Sequence, residues 1–196
     1  MSQHYSGYIS VVHGNYNEWK NATLDNFYDV DSHYGYQCWD YISLFYYQVG
    51  FPAGYPTLTN SLMYTMWTNR LQNISYGGVQ YFDLITSLAD VKQGDIMVFN
   101  ASSANPYGHA GFATQDYSTW DASDPEFPIL SQNNGGTPDP AGGTSVNIHG
   151  YDTGLFMGAF RYRSWIPTPP PTPTSHKTTK SKFPFVLYAN KLRNNY

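Results

Sequence analysis

The sequence predicts an α+β fold in which helices come first and an antiparallel sheet follows. Two observations carry this. In the first half, apolar residues gather in helix-length runs, the clearest being Tyr41-Ile-Ser-Leu-Phe-Tyr-Tyr-Gln-Val49, which closes at Gly50 with Pro52 just beyond. From Val91 onward they fall in shorter runs divided by Gly, Pro and Asp, such as Ile96-Met-Val-Phe99 and Phe156-Met-Gly-Ala-Phe-Arg-Tyr162.

In chain order, residues 1–13 are Tyr-rich and show no clear period. Asn15 to Phe27 reads as a helix, with Trp19, Leu24 and Phe27 as a partial apolar face. A polar loop from Asp29 to Asp40 leads into the helix that starts near Cys38. Residues 50–61, with Gly50, Pro52, Gly54 and Pro56, form a loop. Leu62 to Leu71 suits a helix, Asn73 to Val79 turns through Gly77-Gly78, and a second helical piece is expected over Tyr81 to Ala89. Gly94-Asp95 is a turn before the buried strand Ile96–Phe99. His109 opens the next strand, which runs to Thr114. Phe127 to Asn133 is a further strand, weakened by Pro128. Ser145–Gly150 and Phe156–Tyr162 are the last strands.

The folded domain is expected to cover residues 1–165. Residues 166–182, opening with Ile166-Pro-Thr-Pro-Pro-Pro-Thr-Pro-Thr174, read as a semi-rigid polyproline linker, and 183–196 as a short basic and apolar tail.

Composition narrows the function. Hydrophobic residues make up 41% of the 196, enough for a core, while charged residues make up only 12%. The surface must therefore be covered by Tyr, Asn, Ser, Thr and Gly. The 19 tyrosines offer apolar faces with polar tips suited to sugars and peptides, and they also suit strands. One cysteine excludes an intrachain disulfide and a multi-cysteine zinc site. There is no basic, then apolar, leader at the start and no stretch long enough to span a bilayer. The net charge of −4 is uneven: all 14 acidic residues lie at or before Asp152, while five of the ten basic residues, Lys177, Lys180, Lys182, Lys191 and Arg193, follow Pro167. An acidic body argues against nucleic-acid binding. The basic tail could touch an anionic polymer, a membrane surface or another protein, and the protein is expected to be monomeric.

The chemistry concentrates in Asp29-Val-Asp-Ser-His-Tyr-Gly-Tyr-Gln-Cys-Trp-Asp40. Cys38 stands at a helix N-terminus, where free N–H groups and the helix dipole favour the thiolate. The alternative is a buried, inert thiol. Asp29, Asp31, His33, Gly35 and Asp40 fall at positions 1, 3, 5, 7 and 12 of a calcium-loop pattern. Tyr34 stands where an EF-hand needs Gly, and Asp40 reaches less far than Glu. The alternative is an acidic turn in which Asp40 merely favours the helix start. His109, at a strand start, could serve as base to Cys38, with Asn133 on the following strand as the group that orients its ring.

Three motifs, Tyr34-Gly-Tyr-Gln-Cys-Trp-Asp40, Gly94-Asp-Ile-Met-Val-Phe99 and Tyr107-Gly-His-Ala-Gly-Phe112, together resemble the CHAP family (cysteine, histidine-dependent amidohydrolase/peptidase), and are most similar to its members in bacteriophage endolysins. The resemblance covers about residues 15–163. It implies a papain-like fold, with N-terminal helices packed on an antiparallel β-sheet, and cleavage of peptidoglycan as amidase or endopeptidase. It makes Cys38 the nucleophile and His109 the base. Family members often carry Glu-Gln-Asn after the histidine, whereas this chain reads Ser131-Gln-Asn133: Asn133 matches and Ser131 replaces the acid. Gln37 could donate to the oxyanion beside the Cys38 N–H, or be a plain surface residue at the helix start. Some phage members bind calcium before the cysteine. By that likeness a structural Ca2+ would take side-chain oxygens of Asp29, Asp31 and Asp40 and carbonyls of His33 and Gly35. The resemblance implies a protein held in the host cytoplasm until release, or carried by the virion, and acting on the bacterial wall. A wall-binding module that has lost activity, and a papain-like transfer or deamidation, are the alternatives.

Overall fold

A computed structural model describes residues 2–135 and 139–165. The linker and tail expected over 166–182 and 183–196 lie outside the described residues. Strand β1 (His4–Ser6) is followed by α1 (Tyr16–Thr23), β2 (Phe27–Asp29) and α2 (Cys38–Gln48). Two single-turn helices, α3 (Thr65–Thr68) and α4 (Arg70–Asn73), and a small hairpin, β3 (Ser75–Tyr76) with β4 (Val79–Gln80), come next. The rest is sheet: β5 (Phe82–Ile85), β6 (Ile96–Phe99), β7 (His109–Ala113), β8 (Glu126–Ser131), β9 (Asn147–Asp152) and β10 (Phe156–Tyr162).

Six strands pair antiparallel in the order β5-β10-β6-β7-β8-β9, and β1 pairs parallel with β2 apart from them. Helix α2 buries Tyr41, Ile42, Leu44, Phe45 and Tyr46 completely. The Trp19 ring stacks on Tyr41 and meets Phe45 and Phe112 from α1, so one aromatic cluster joins both helices to β7. The opposite sheet face carries a smaller cluster built on Met97, Phe99, Phe127 and Ile129. The α+β layout with helices on an antiparallel sheet is therefore as the sequence indicates.

Four local expectations need correction. The first helix ends at Thr23 and not at Phe27. Asp25 takes a left-handed backbone (φ 66°), and the Asn26 side chain caps the Ala22 carbonyl, which releases Phe27 into β2. The Leu62–Leu71 helix is split: Asn69 leaves helical geometry between α3 and α4. Tyr81 to Ala89 is no helix. Its residues 82–85 form β5, paired with Ala159–Tyr162 of β10, and Leu88–Asp90 make a 3-10 turn. The pairing partner, which local pattern does not reveal, decides the state. Strand β8 stops at Ser131, and Asn133 lies beyond it with φ 55°. Pro128 is tolerated inside β8, where its carbonyl accepts from both the backbone and the hydroxyl of Thr114.

One glycine matters for packing. At Gly158, beside the irregularity in β10, a Cβ would lie 2.2 Å from the Trp67 ring, so the indole can rest on the strand only because no side chain is there.

Candidate active site

Cys38 is the first residue of α2 and His109 the first of β7. Both line one cleft of about 640 Å³, together with Gln37, Asp31, His33, Asp40 and Asn133. The exposed rings of Tyr34 and Tyr107 flank its mouth. Helix α2 starts where it does because Asp40, in its first turn, turns back and accepts from the Gln37 N–H at 2.9 Å. The other Asp40 oxygen accepts from Val30 at 3.0 Å, which ties the helix start to the loop after β2.

The thiol and the imidazole are buried, at 8% and 3% exposure. Burial pushes the Cys38 thiol up to about 12, against the lowering expected from a helix N-terminus; a hydrogen bond donated by the Ala110 backbone N–H only partly offsets this. Burial, and then the charge of His149, bring His109 down to about 3. Among the described residues no hydrogen bond joins Sγ to the imidazole. Burial of each side chain thus favours its neutral form, thiol and imidazole.

The residues expected to orient His109 hydrogen-bond elsewhere. The buried Ser131 hydroxyl donates to the Ala110 carbonyl at 2.6 Å. The Asn133 amide donates to Gln37 Oε1 at 2.8 Å, and Gln37 Nε2 donates to the Tyr34 carbonyl at 2.7 Å. Thus neither Ser131 nor Asn133 hydrogen-bonds to His109, and among the described residues the buried His109 Nε2 has no hydrogen-bond partner. The amide that links these segments is Gln132, which the sequence did not single out. It is fully buried and bridges Tyr28 of β2 and the Gln37 carbonyl. Its position between Ser131 and Asn133 was the only hint. Two more residues reach His109 without any hint in the sequence: Tyr151, whose ring stacks on the imidazole, and Asn105, which holds the Tyr151 hydroxyl.

The acidic loop also assembles. Asp29, Asp31 and Asp40 each offer a carboxylate oxygen within 4.8 Å of the others. Asp40 is 1% exposed, and burial, then the charges of Asp31 and Asp29, raise its carboxyl to about 7 against its two backbone donors. Asp29 Oδ1 accepts from Ser32 N–H and Asp31 Oδ1 from His33 N–H, which folds the loop into tight turns and leaves lone pairs on every carboxylate. An all-oxygen set with one buried carboxylate fits a hard cation. Gly35 is pressed against the Ala141 and Gly142 carbonyls, where a Cβ would lie 2.2 Å from the nearer oxygen. The Tyr36 N–H donates to Gly142 at 3.0 Å, so the loop is braced from that side.

Among the described residues no helix is long and apolar enough to cross a membrane.

The family model of the CHAP domain matches residues 26–133. Over 103 residues, 52% of this chain, the sequence is 30% identical to a D-alanyl-L-alanine endopeptidase of Streptococcus phage B30. The chain spans only 21% of that protein's length. The crystal structure of the wild type endolysin LysIME-EF1 is similar with a TM-score of 0.53 at 23% identity, over 76% of this chain and 64% of that one. At that identity the likeness speaks for the fold.

Proposed function

The chain belongs to the CHAP domain family, and from that premise we propose that it is a peptidoglycan hydrolase of phage-mediated wall lysis, cutting an amide bond of the stem or bridge peptide with Cys38 as nucleophile and His109 as base. The observation that carries this reading is the presence in one cleft of the only cysteine and of a buried histidine whose Nε2 has no hydrogen-bond partner among the described residues. As Sγ attacks the scissile carbonyl, the imidazole takes the thiol proton and then gives it to the departing amine, leaving a thioester. Water, deprotonated by the same imidazole, cleaves the thioester and restores the thiol. Burial favours the neutral form of both groups, which suits a proton transfer coupled to the attack. The Cys38 backbone N–H, in the first turn of α2, has no acceptor within the helix and is free for the oxyanion.

We further propose that Asp29, Asp31 and Asp40 hold a structural Ca2+, with the carbonyls of His33 and Gly35 completing the set. When bound, the ion supplies charge compensation and rigidity to the loop before Cys38. The separation of these carboxylates and the burial of Asp40 support this.

One observation favours a second reading, a wall-binding module with a degenerate site: Ser131 leaves His109 Nε2 without the acid that relatives often place there. Purified peptidoglycan separates the two. The hydrolase releases new amino groups, and Cys38→Ala abolishes the release while keeping the melting temperature. Binding to walls with no new amino groups from the parent protein would favour the second reading. Release by Cys38→Ala at the parental rate would reject the cysteine mechanism.

A further inference from the structure

His109 needs a fixed ring orientation to exchange a proton with Cys38, and among the described residues no polar side chain hydrogen-bonds to its ring. Ser131 is spent on the Ala110 carbonyl, Asn133 on Gln37, and Nε2 has no partner. What the imidazole does have is a flat contact. Its plane lies within 8° of the Tyr151 ring, with centres 4.8 Å apart. Tyr151 is held in turn on its other sides. Phe99, the cross-strand neighbour of His109, packs against it at 4.5 Å, and Asn105 Nδ2 donates to its hydroxyl at 3.3 Å. The same Asn105 nitrogen donates to the carbonyl of Gly108, the residue just before His109, at 2.9 Å. Asn105 Oδ1 accepts from Tyr107 N–H at 3.1 Å. One amide thus pins both the backbone that enters His109 and the ring that lies on it.

Resting on the cysteine–histidine reading above, we propose that Tyr151 and Asn105 are the positioning residues of His109, replacing an acid or amide orienter by an aromatic stack clamped at its hydroxyl. A stack restrains rotation of the imidazole about its last side-chain bond, as a hydrogen bond to Nε2 would, but adds no charge beside a ring that burial already keeps neutral. It also explains how the site can do without the acid at 131.

Four variants test this on soluble peptidoglycan fragments, with kcat and KM measured separately and thermal melting as the control for folding. Tyr151→Phe keeps the stack and should keep kcat within about threefold, whereas Tyr151→Leu removes it and should lower kcat about tenfold or more with KM nearly unchanged, as for a displaced catalytic group. Asn105→Ala frees both Tyr151 and Gly108 and should lower kcat in the same sense. Alkylation of Cys38 by iodoacetamide at fixed neutral pH gives a readout independent of the substrate; Tyr151→Leu should slow it and Tyr151→Phe should not. A folded Tyr151→Leu with parental kcat and alkylation rate overturns the proposal, as does equal loss in Tyr151→Phe and Tyr151→Leu. Should Tyr151→Leu not fold, parental kcat in Asn105→Ala overturns it. His109→Ala, the fourth variant, separates the two levels: if it stays active, the cysteine–histidine reading itself fails, and if it is inactive while Tyr151→Leu matches the parent, only the positioning role fails.

Discussion

Gln132 Nε2 donates to the carbonyl of Gln37, the residue immediately before Cys38, at 3.0 Å. The same nitrogen donates to the Tyr28 carbonyl at 2.6 Å, and Gln132 Oε1 accepts from Tyr28 N–H at 2.7 Å. One fully buried amide therefore ties the end of β8 to strand β2 and the start of α2, 104 and 95 residues away in sequence, and this junction sets where the nucleophile stands.

Gln132→Leu should be costly out of proportion to its size. It leaves a buried N–H and two carbonyls short of partners, each worth about 1–3 kcal/mol when stranded. Three such groups cost about 3 kcal/mol or more, so a loss of at least about 6 °C in melting temperature is expected for a domain of this size. Activity below the melting point should fall too, because the Gln37–Cys38 peptide loses its restraint. A Leu variant that melts within about 1 °C of the parent would mean the amide is incidental.

The parts of this site that sequence disclosed are those whose chemistry is local. Cys38 ahead of an apolar helix, and acids at alternating positions from Asp29, declare themselves by spacing, because a helix start and a turn are built from neighbours. Gln132, Tyr151 and Asn105 do not, since their roles exist only once β8, β9 and the loop before His109 are brought together. The same holds for the fold. Strand Ile96–Phe99 is buried on both faces and reads as an apolar run whatever its partners. Residues 82–85 become a strand only by pairing with β10, and their mixed pattern passes for a helix when seen alone. The lowering of the thiol expected at the head of α2 was likewise a local inference, and the burial imposed by β7 reverses it.

His109 gives a pH prediction with a definite sign. Unfolded, it titrates near 6.5; folded, burial brings it down to about 3. Between these values the unfolded chain takes up a proton that the folded protein refuses. Its contribution to stability is therefore complete above 6.5 and is lost as pH falls toward 3, at no more than about 1.4 kcal/mol per pH unit. Melting temperatures of the parent and of His109→Asn, compared from pH 7 to pH 4, should diverge, with the parent falling more steeply. Parallel curves would show that the histidine takes up its proton as readily in the fold as in the unfolded chain.

Metal removal tests the acidic loop. A cation that binds only the folded protein raises its stability by an amount set by its concentration, about 2.7 kcal/mol at a hundredfold excess over Kd. Chelation should therefore lower the melting temperature and the rate of wall cleavage together, and calcium should restore both, by roughly 5–10 °C in the first case. Magnesium should do so poorly, because it demands tight octahedral geometry and holds its waters, while this loop offers clustered carboxylates and carbonyls. Asp31→Asn distinguishes a bound ion from general screening of charge. Asp31 is exposed, so the change strands no buried group, and it relieves repulsion with Asp29 and Asp40. The variant should melt at or slightly above the chelated parent and gain little from calcium. An equal rise with calcium in parent and variant would dismiss Asp31 as a ligand. No rise in a parent carefully stripped of metal would dismiss the site.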